Sequence, residues 1–255
     1  MADLEVRVEA GALWLTLNRP EVFNALNADM AVGLAEHVEQ ATARDDVRVV
    51  VLTGVGAAFS TGADISGANA QLLDEHAVDA ANRIIRAIVG LDKPVVAAVN
   101  GVAAGVGCSA ALAADLVVAA ESASFLLAFA RVGLMPDGGA TASVAASIGR
   151  ARAMRMALLA EPLTAREAYD AGLATHLASD EDFPELVATI VRRLAAGPPL
   201  AFAATKKAIN AATLGQLEPA LARERTGQTV LLRTDDTAEG MRAFAERRRP
   251  DFRGR

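Results

Sequence analysis

The chain opens on a period of two. Leu4, Val6 and Val8 alternate with Glu5, Arg7 and Glu9, and after Gly11 the alternation resumes with Leu13, Leu15 and Leu17. Successive side chains of a strand point to opposite faces, so the pattern predicts a hairpin with one buried face. The period then lengthens. Ala31, Leu34, Ala35 and Val38 recur at i, i+3, i+4 and i+7, the stripe of an amphipathic helix that Asn27 is placed to cap. Val47 to Thr53 is a β-branched run ending at Gly54 and reads as a buried strand. A glycine-containing loop over 57–64 follows. Next come a helix from Asp74 to Gly90, a strand from Pro94 to Val99, a turn from Gly101 to Gly107, a helix from Cys108 to Ala114 and a strand from Leu116 to Ala120.

Strands and helices alternating in this way predict an α/β fold with crossover connections. Beyond residue 140 the pattern turns helical. Thr164 and Glu167 have the Thr-x-x-Glu spacing of a capping box, and Gly172 is placed to end that short helix. Gly197-Pro198-Pro199 is the best candidate boundary, dividing residues 1–196 from 197–255. Three helices are expected after it, over 200–213, 217–233 and 235–249. The last begins with Asp235 and Asp236 and ends with Arg247, Arg248 and Arg249 before Pro250, acid first and base last, as the helix dipole favours. Terminal helices with apolar faces suit packing against the body or against a second subunit.

Composition narrows the function. With 53% hydrophobic and 22% charged residues, the 255-residue chain can bury a large core. A net charge of −6 and 4% aromatics argue against nucleic acid or an anionic membrane surface as partner. The lone cysteine, Cys108, allows no internal disulfide and suits a reducing, cytoplasmic setting. The N-terminus has no basic stretch leading into an apolar one, so no signal peptide is expected. The uncharged run between Lys93 and Asp115 has the length of a membrane span, but Pro94, Asn100, Gly101, Gly105, Gly107 and Ser109 interrupt it. His37, His76 and His176 are too scattered for a metal site, and neither Gly-x-Ser-x-Gly nor a Walker sequence occurs. Gly54-Val55-Gly56 follows a strand but lacks the full dinucleotide fingerprint and reads as a turn.

Three segments stand out. Phe59-Ser60-Thr61-Gly62-Ala63-Asp64 and Asn100-Gly101-Val102-Ala103-Ala104-Gly105-Val106-Gly107 both place glycine just after a strand. Such loops are either ordinary tight turns or backbone shapes that aim N–H groups into a cavity, where a pair of them would stabilise a developing oxyanion. In Gly133-Leu134-Met135-Pro136-Asp137-Gly138-Gly139-Ala140 a carboxylate sits among small and apolar residues. Asp137 there either caps the next helix or, desolvated, serves as a base near neutral pH.

In this order and spacing, the three segments resemble those of the enoyl-CoA hydratase/isomerase (crotonase) superfamily. So do Leu17-Asn18-Arg19-Pro20, Asn24-Ala25-Leu26-Asn27, the run from Lys93 to Gly101, and, at the C-terminus, Glu239-Gly240, Ala243-Phe244 and Arg247-Arg248-Arg249-Pro250 with Phe252. The resemblance covers essentially the whole chain. It implies a spiral of ββα units, carrying the acyl-CoA site in residues 1–196, and a C-terminal helical trimerisation region. The assembly implied is a homotrimer or a dimer of trimers. An acyl-CoA thioester is the implied substrate, with no cofactor beyond the CoA it carries and no metal. The N–H groups of Ala63 and Val106 would form the oxyanion hole. Ala63, Asp64, Ile65 and Ser66 would line the thioester, Ala25 would border the CoA, and Phe244 and Arg247 would meet its nucleotide end, where an arginine suits phosphate.

One departure divides the possible reactions. Hydratases of the family hold two glutamates over the substrate, and the matching positions here are Ser109 and Phe129. Phenylalanine accepts no proton, and serine needs a partner to do so. Asp137 falls where some isomerases of the family carry their single acid/base carboxylate. The leading expectation is therefore a 3-enoyl-CoA to 2-enoyl-CoA isomerase with Asp137 as proton shuttle. The alternatives are an enoyl-CoA hydratase with an unorthodox water site and an acyl-CoA-binding member without turnover. Among the other acids, Asp64 is expected to brace its own turn, Asp115 to fix a helix or strand end, Glu121 to be solvated, and Asp74, Glu75 and Asp79 to lie near the acyl pocket.

Overall fold

A computed structural model of the chain describes residues 2–65 and 74–255. The opening alternation folds as the hairpin it predicts, β1 (Leu4–Glu9) antiparallel to β2 (Ala12–Leu17). Ala10 and Gly11 turn it at φ 50° and 80°, the positive values that match the twist of a two-residue hairpin. Helix α1 (Ala28–Gln40) starts where expected: Asn27 accepts a hydrogen bond from the Met30 N–H at 2.8 Å. From β2 the sheet grows by parallel pairing through β3 (Val49–Gly54), β5 (Val95–Val99), β7 (Leu116–Ala120) and β10 (His176–Ala178). Its central strands are apolar on both faces because both are covered. Val50 and Leu52 join the main core with Leu34 and Val38, while Val49 and Val51 meet Val187 and Val191 of α6 (Phe183–Ala195).

A second sheet has four strands among the described residues. It pairs β4 (Ala58–Ser60), β6 (Val102–Ala104) and β8 (Ser124–Leu126) in parallel, with β9 (Leu163–Thr164) antiparallel at the end. The chain visits the two sheets in turn. β3 leads to β4 and α2 (Glu75–Gly90), and β5 leads to β6 and α3 (Gly105–Leu112). β7 leads to β8 and, after the 3₁₀ turn Ala128–Val132, to α4 (Ala140–Leu159), which is broken at Gly149. This is the ββα spiral expected from the resemblance.

Several local expectations change. Residues 101–107 are not one turn, because Val102–Ala104 is strand β6 and α3 begins at Gly105. Glycine marks the ends of this strand, but its partners lie 44 residues before and 22 after (Ala58 and Ser124, both paired with Val102), beyond any local signal. The short strands β9 and β10 interrupt the helical region. Thr164 and Glu167 do form a reciprocal capping box on α5 (Ala165–Ala171), which Gly172 ends at φ 84°. The C-terminal helices are α7 (Pro199–Thr213), α8 (Leu217–Leu231) and α9 (Asp235–Ala245). The last stops short of 249, because Arg247 adopts φ 54° just beyond it.

Polar arms, not a buried apolar stripe, hold α7 to the body. None of its residues is buried, and Leu200 and Ile209 face outward. Lys206 reaches in to donate to the Ile88 carbonyl at 2.8 Å and to pair with Asp115 at 2.8 Å, while Asp115 also accepts from the Val95 N–H at 2.7 Å. Burial shifts both groups toward neutrality, raising the Asp115 carboxyl and lowering the Lys206 ammonium, so each depends on the other to stay charged. Truncating one partner strands the second charge. Lys206→Ala is expected to cost about 3 kcal/mol in denaturant unfolding, and Lys206→Met with Asp115→Asn to recover part of that loss.

Candidate active site

The exits of β4, β6 and β8 lie side by side because these strands are hydrogen-bonded neighbours. Of the three segments singled out in the sequence, the first two hold the ends of β4 and β6, and the third follows β8 after the 3₁₀ turn Ala128–Val132. The first is anchored from below by residues 19–26. Asn24, fully buried, accepts from the Arg19 N–H at 2.9 Å and donates to the carbonyls of Val55 and Ala58 at 2.9 and 2.7 Å. Ser60 Oγ donates to the Asn24 carbonyl at 2.8 Å. Leu26 then pairs with the loop as a parallel bridge to Ala63: its N–H donates to Gly62 at 2.7 Å and its carbonyl accepts from Asp64 at 3.0 Å. Parallel pairing of this kind uses the groups of residues 62 and 64, so the N–H of Ala63 faces the other way.

On that other side lies the start of α3. A Cβ added to Gly62, which sits at φ 91°, would fall 2.9 Å from the Ala104 carbonyl and 3.1 Å from the Val106 nitrogen. Only glycine permits both the angle and the approach. Gly105, at φ 53°, turns the chain into α3. Val106 is the second residue of that helix, and first-turn N–H groups have no acceptor within their helix. The segment holding Ala63 therefore runs against the Val106 amide, with both donors free of the regular hydrogen-bond ladders.

Asp137 comes from the third segment. It is 7% exposed, and Ser109, one turn along α3 from Val106, donates its hydroxyl to the Asp137 carbonyl at 2.8 Å. Asp137 Oδ2 accepts from Gln228 Nε2 at 2.9 Å, whereas buried Oδ1 has no hydrogen-bond partner. Burial raises this carboxyl to about 7; the Gln228 hydrogen bond opposes the rise and the nearby Glu224 carboxylate adds to it. Glu224, fully buried on α8, accepts from the N–H groups of Gly139 and Thr141 at 2.6 and 2.9 Å and caps α4 from outside. Asp137 thus does not cap α4; Glu224 does.

The remaining candidates separate clearly. Asp64, 5% exposed, does more than brace its own turn, because Arg19 bonds it at 3.0 Å and the Ala25 carbonyl at 2.8 Å, tying the loop to the segment that follows β2. Ala25 is buried beside this pair and Ile65 is half-buried beyond it, whereas Ser66 lies outside the described residues. Phe129, 8% exposed, packs in the core, and Ser109 is spent on Asp137. Phe244 is exposed on α9, whose buried face packs on Val132 and Gly133, and Arg247 is exposed just past that helix. Asp74 caps α2, Glu75 pairs with Arg233 and Asp79 with Arg225; the last pairing holds the Asp79 carboxyl below its ordinary range. Buried Cys108 has its thiol pushed up to about 12 and is no nucleophile.

Glu224 and Gln228 escaped the sequence reading. Their signal was available: they continue the buried stripe Leu217, Ala220, Leu221 of α8, where a polar residue needs a buried partner.

The family model for enoyl-CoA hydratase/isomerase matches residues 7–255. A probable enoyl-CoA hydratase of Rhodobacter capsulatus is 43% identical over 99% of this chain and 98% of its own length. The 1,2-epoxyphenylacetyl-CoA isomerase of Escherichia coli is 39% identical over 97% of each chain. The crystal structure of an enoyl-CoA hydratase from Mycobacterium avium subsp. paratuberculosis superimposes with a TM-score of 0.94 at 48% identity, covering 99% of both chains.

A buried carboxyl with a raised proton affinity carries a stability signature. Its ordinary value is 3.8 and its folded-state value about 7, so the folded protein binds the proton more tightly than the unfolded chain. The stability this supplies is complete below the lower value and lost as pH rises through the higher one. Asp137→Asn removes the charge without removing the volume. Thermal melts are expected to show the variant more stable than the parent at pH 8, with the gap closing toward pH 4.

Proposed function

The chain belongs to the enoyl-CoA hydratase/isomerase family, and we propose that the reaction it carries out on an acyl-CoA thioester is the shift of a double bond from the 3,4 to the 2,3 position. The observation that carries this reading is Asp137: a buried carboxyl beside the paired loops, one oxygen held by Gln228 and the other unpartnered. A 3-enoyl thioester bound with its carbonyl between the N–H groups of Ala63 and Val106 presents carbon 2 to Asp137. Oδ1 removes a proton from carbon 2, the C–H electron pair forms the enolate, and the thioester oxygen takes the negative charge. The same acid returns the proton to carbon 4, leaving the 2,3 double bond. Two preformed N–H donors stabilise the enolate more than the ground-state carbonyl, and losing one donor of this kind typically costs about 2.7–4 kcal/mol of transition-state stabilisation. A carboxyl poised near 7 exchanges protons at neutral pH better than one at 3.8.

Adding water calls for different equipment. The positions matching the two glutamates of the family's hydratases hold Ser109, bonded to the Asp137 backbone, and Phe129, packed in the core. The hydratase names of several relatives keep hydration as the second reading, and an acyl-CoA-binding role without turnover is the third. The outward-facing Leu200, Ile209 and Val230 of α7 and α8 support a homotrimer or dimer of trimers, in which Phe244 and Arg247 could meet the CoA of a neighbouring subunit.

Three measurements test these readings. In deuterium oxide the enzyme is expected to convert a linear 3-enoyl-CoA to the 2-enoyl-CoA with exchange at carbon 2, at a rate that rises with pH through about 7 as Asp137 loses its proton. Asp137→Asn should abolish both turnover and exchange. Persistence of either at parental rates removes Asp137 as the base, and faster conversion of crotonyl-CoA to 3-hydroxyacyl-CoA replaces isomerisation by hydration. In sedimentation experiments the protein should behave as three or six chains, and a monomer would reject the assembly.

A further inference from the structure

We infer that Gln228 is a positioning residue for Asp137: its side-chain amide, clamped at both ends, selects Oδ1 as the oxygen that carries the proton. This rests on the isomerase reading above and adds to it a residue from α8, far along the chain from the three loops.

The geometry has four parts. First, Gln228 is 2% exposed, and its amide is held from both sides: Oε1 accepts from the Met135 N–H at 3.2 Å, and Nε2 donates to Asp137 Oδ2 at 2.9 Å. The first bond fixes which end of the amide faces Asp137. A carbonyl end there would meet a carboxylate with no donor between them, so the orientation is set by chemistry as well as by distance. Second, the two bonds bracket Pro136. Gln228 therefore clips the turn 135–137 closed and holds the acid relative to its own backbone. Third, that backbone is pinned from the opposite side, where Ser109 of α3 donates to the Asp137 carbonyl at 2.8 Å. Fourth, α8 is itself tied to α2 by Arg225 with Asp79 at 2.6 Å and Arg86 with Glu218 at 2.8 Å.

The consequence is an acid with one engaged oxygen and one unengaged oxygen. Carboxylate oxygens are equivalent until something distinguishes them. A donor on Oδ2 stabilises the charged form and opposes rotation about the Cβ–Cγ bond, so the proton is taken and returned at Oδ1. The groups around Asp137 come from every neighbouring element. They are the Ser109 hydroxyl from α3, the Ile85 side chain of α2 against Gly138, the Thr141 hydroxyl of α4, which is bonded to Glu224, and Glu224 and Gln228 from α8. Glu224 is the charged group among them that acts on Asp137, and it raises the proton affinity while Gln228 lowers it. The two α8 residues thus pull the same acid in opposite directions one helical turn apart. A residue there that only filled space would do neither.

The test separates positioning from packing. Gln228→Met keeps the length and removes the donor. Steady-state isomerisation of a linear 3-enoyl-CoA across pH should show kcat lowered about 10- to 100-fold, KM within about twofold, and the acid limb of the pH profile moved to higher pH. Gln228→Glu keeps an acceptor for Met135 but places a second carboxyl against Asp137. Its limb should move further up, and its activity should fall once the new carboxyl ionises. If one variant fails to fold, the other still decides the point. A limb at the parental pH in a folded variant, with kcat unchanged or reduced only in step with the folded fraction, overturns the inference. Asp137→Asn keeps the two failures apart. If it is inactive while Gln228→Met behaves as the parent, the positioning role falls and the base assignment stands. If Asp137→Asn retains parental turnover, both fall.

Discussion

Parallel hydrogen bonding among β4, β6 and β8 is the constraint on which the site depends. Parallel neighbours send their chains out at the same edge, so three loops separated by tens of residues emerge together. On the proposed reading, each turn of the spiral contributes one of them: a backbone donor at Ala63, a second at Val106, and a carboxyl at Asp137. None of these residues could form the site from its own segment. Gly62 is what lets the first two turns approach closely, since a side chain there would collide with the Ala104 carbonyl, while Gly105 supplies the φ of 53° that turns the chain into α3.

Keeping a carboxyl out of water requires polar support, and much of that support comes from the C-terminal helices. α8 supplies Gln228 to one oxygen of Asp137 and Glu224 to the start of α4; α7 supplies Lys206 to Asp115 at the start of β7 in the larger sheet. Unpaired, each of these buried groups would be destabilising. Paired, they make the attachment of the helical region to the spiral specific, because they must meet their partners in one register. The same contacts that hold the C-terminal helices in place shape the acid, so packing and chemistry share residues.

On the proposed reading Asp137 is the site's acid/base carboxyl, and the positions resembling the family's two glutamates, Ser109 and Phe129, carry none. Ser109 turns its hydroxyl to the Asp137 backbone, and Phe129 fills core volume. A site whose acid/base capacity lies in one carboxyl suits the movement of one proton between two carbons better than the activation of water, which must be both oriented and deprotonated. The relatives include proteins named for both reactions, so the fold alone does not choose between them.

Local physics was legible in the sequence. The β1–β2 hairpin, the Asn27 cap, the Thr164–Glu167 box, the strand at Val49–Gly54 and the helix at Glu75–Gly90 all follow from side-chain period and from capping chemistry within a few residues. Asp137 was legible as a candidate for the same reason, as a charged residue in an apolar, glycine-rich segment. The three-residue strand β6, the Arg19–Asp64 pair, the hold of Gln228 on Asp137 and the capping of α4 by Glu224 were not. Their partners stand 45, 91 and 83–85 residues away for the three side-chain pairings, and pattern at one position carries no record of which distant group will face it. The sequence by itself determined which segments could form strands, caps and tight loops, because those depend on near neighbours. Tertiary structure alone decided which oxygen of Asp137 is held and which is left open, because that depends on where a helix ninety residues downstream comes to rest.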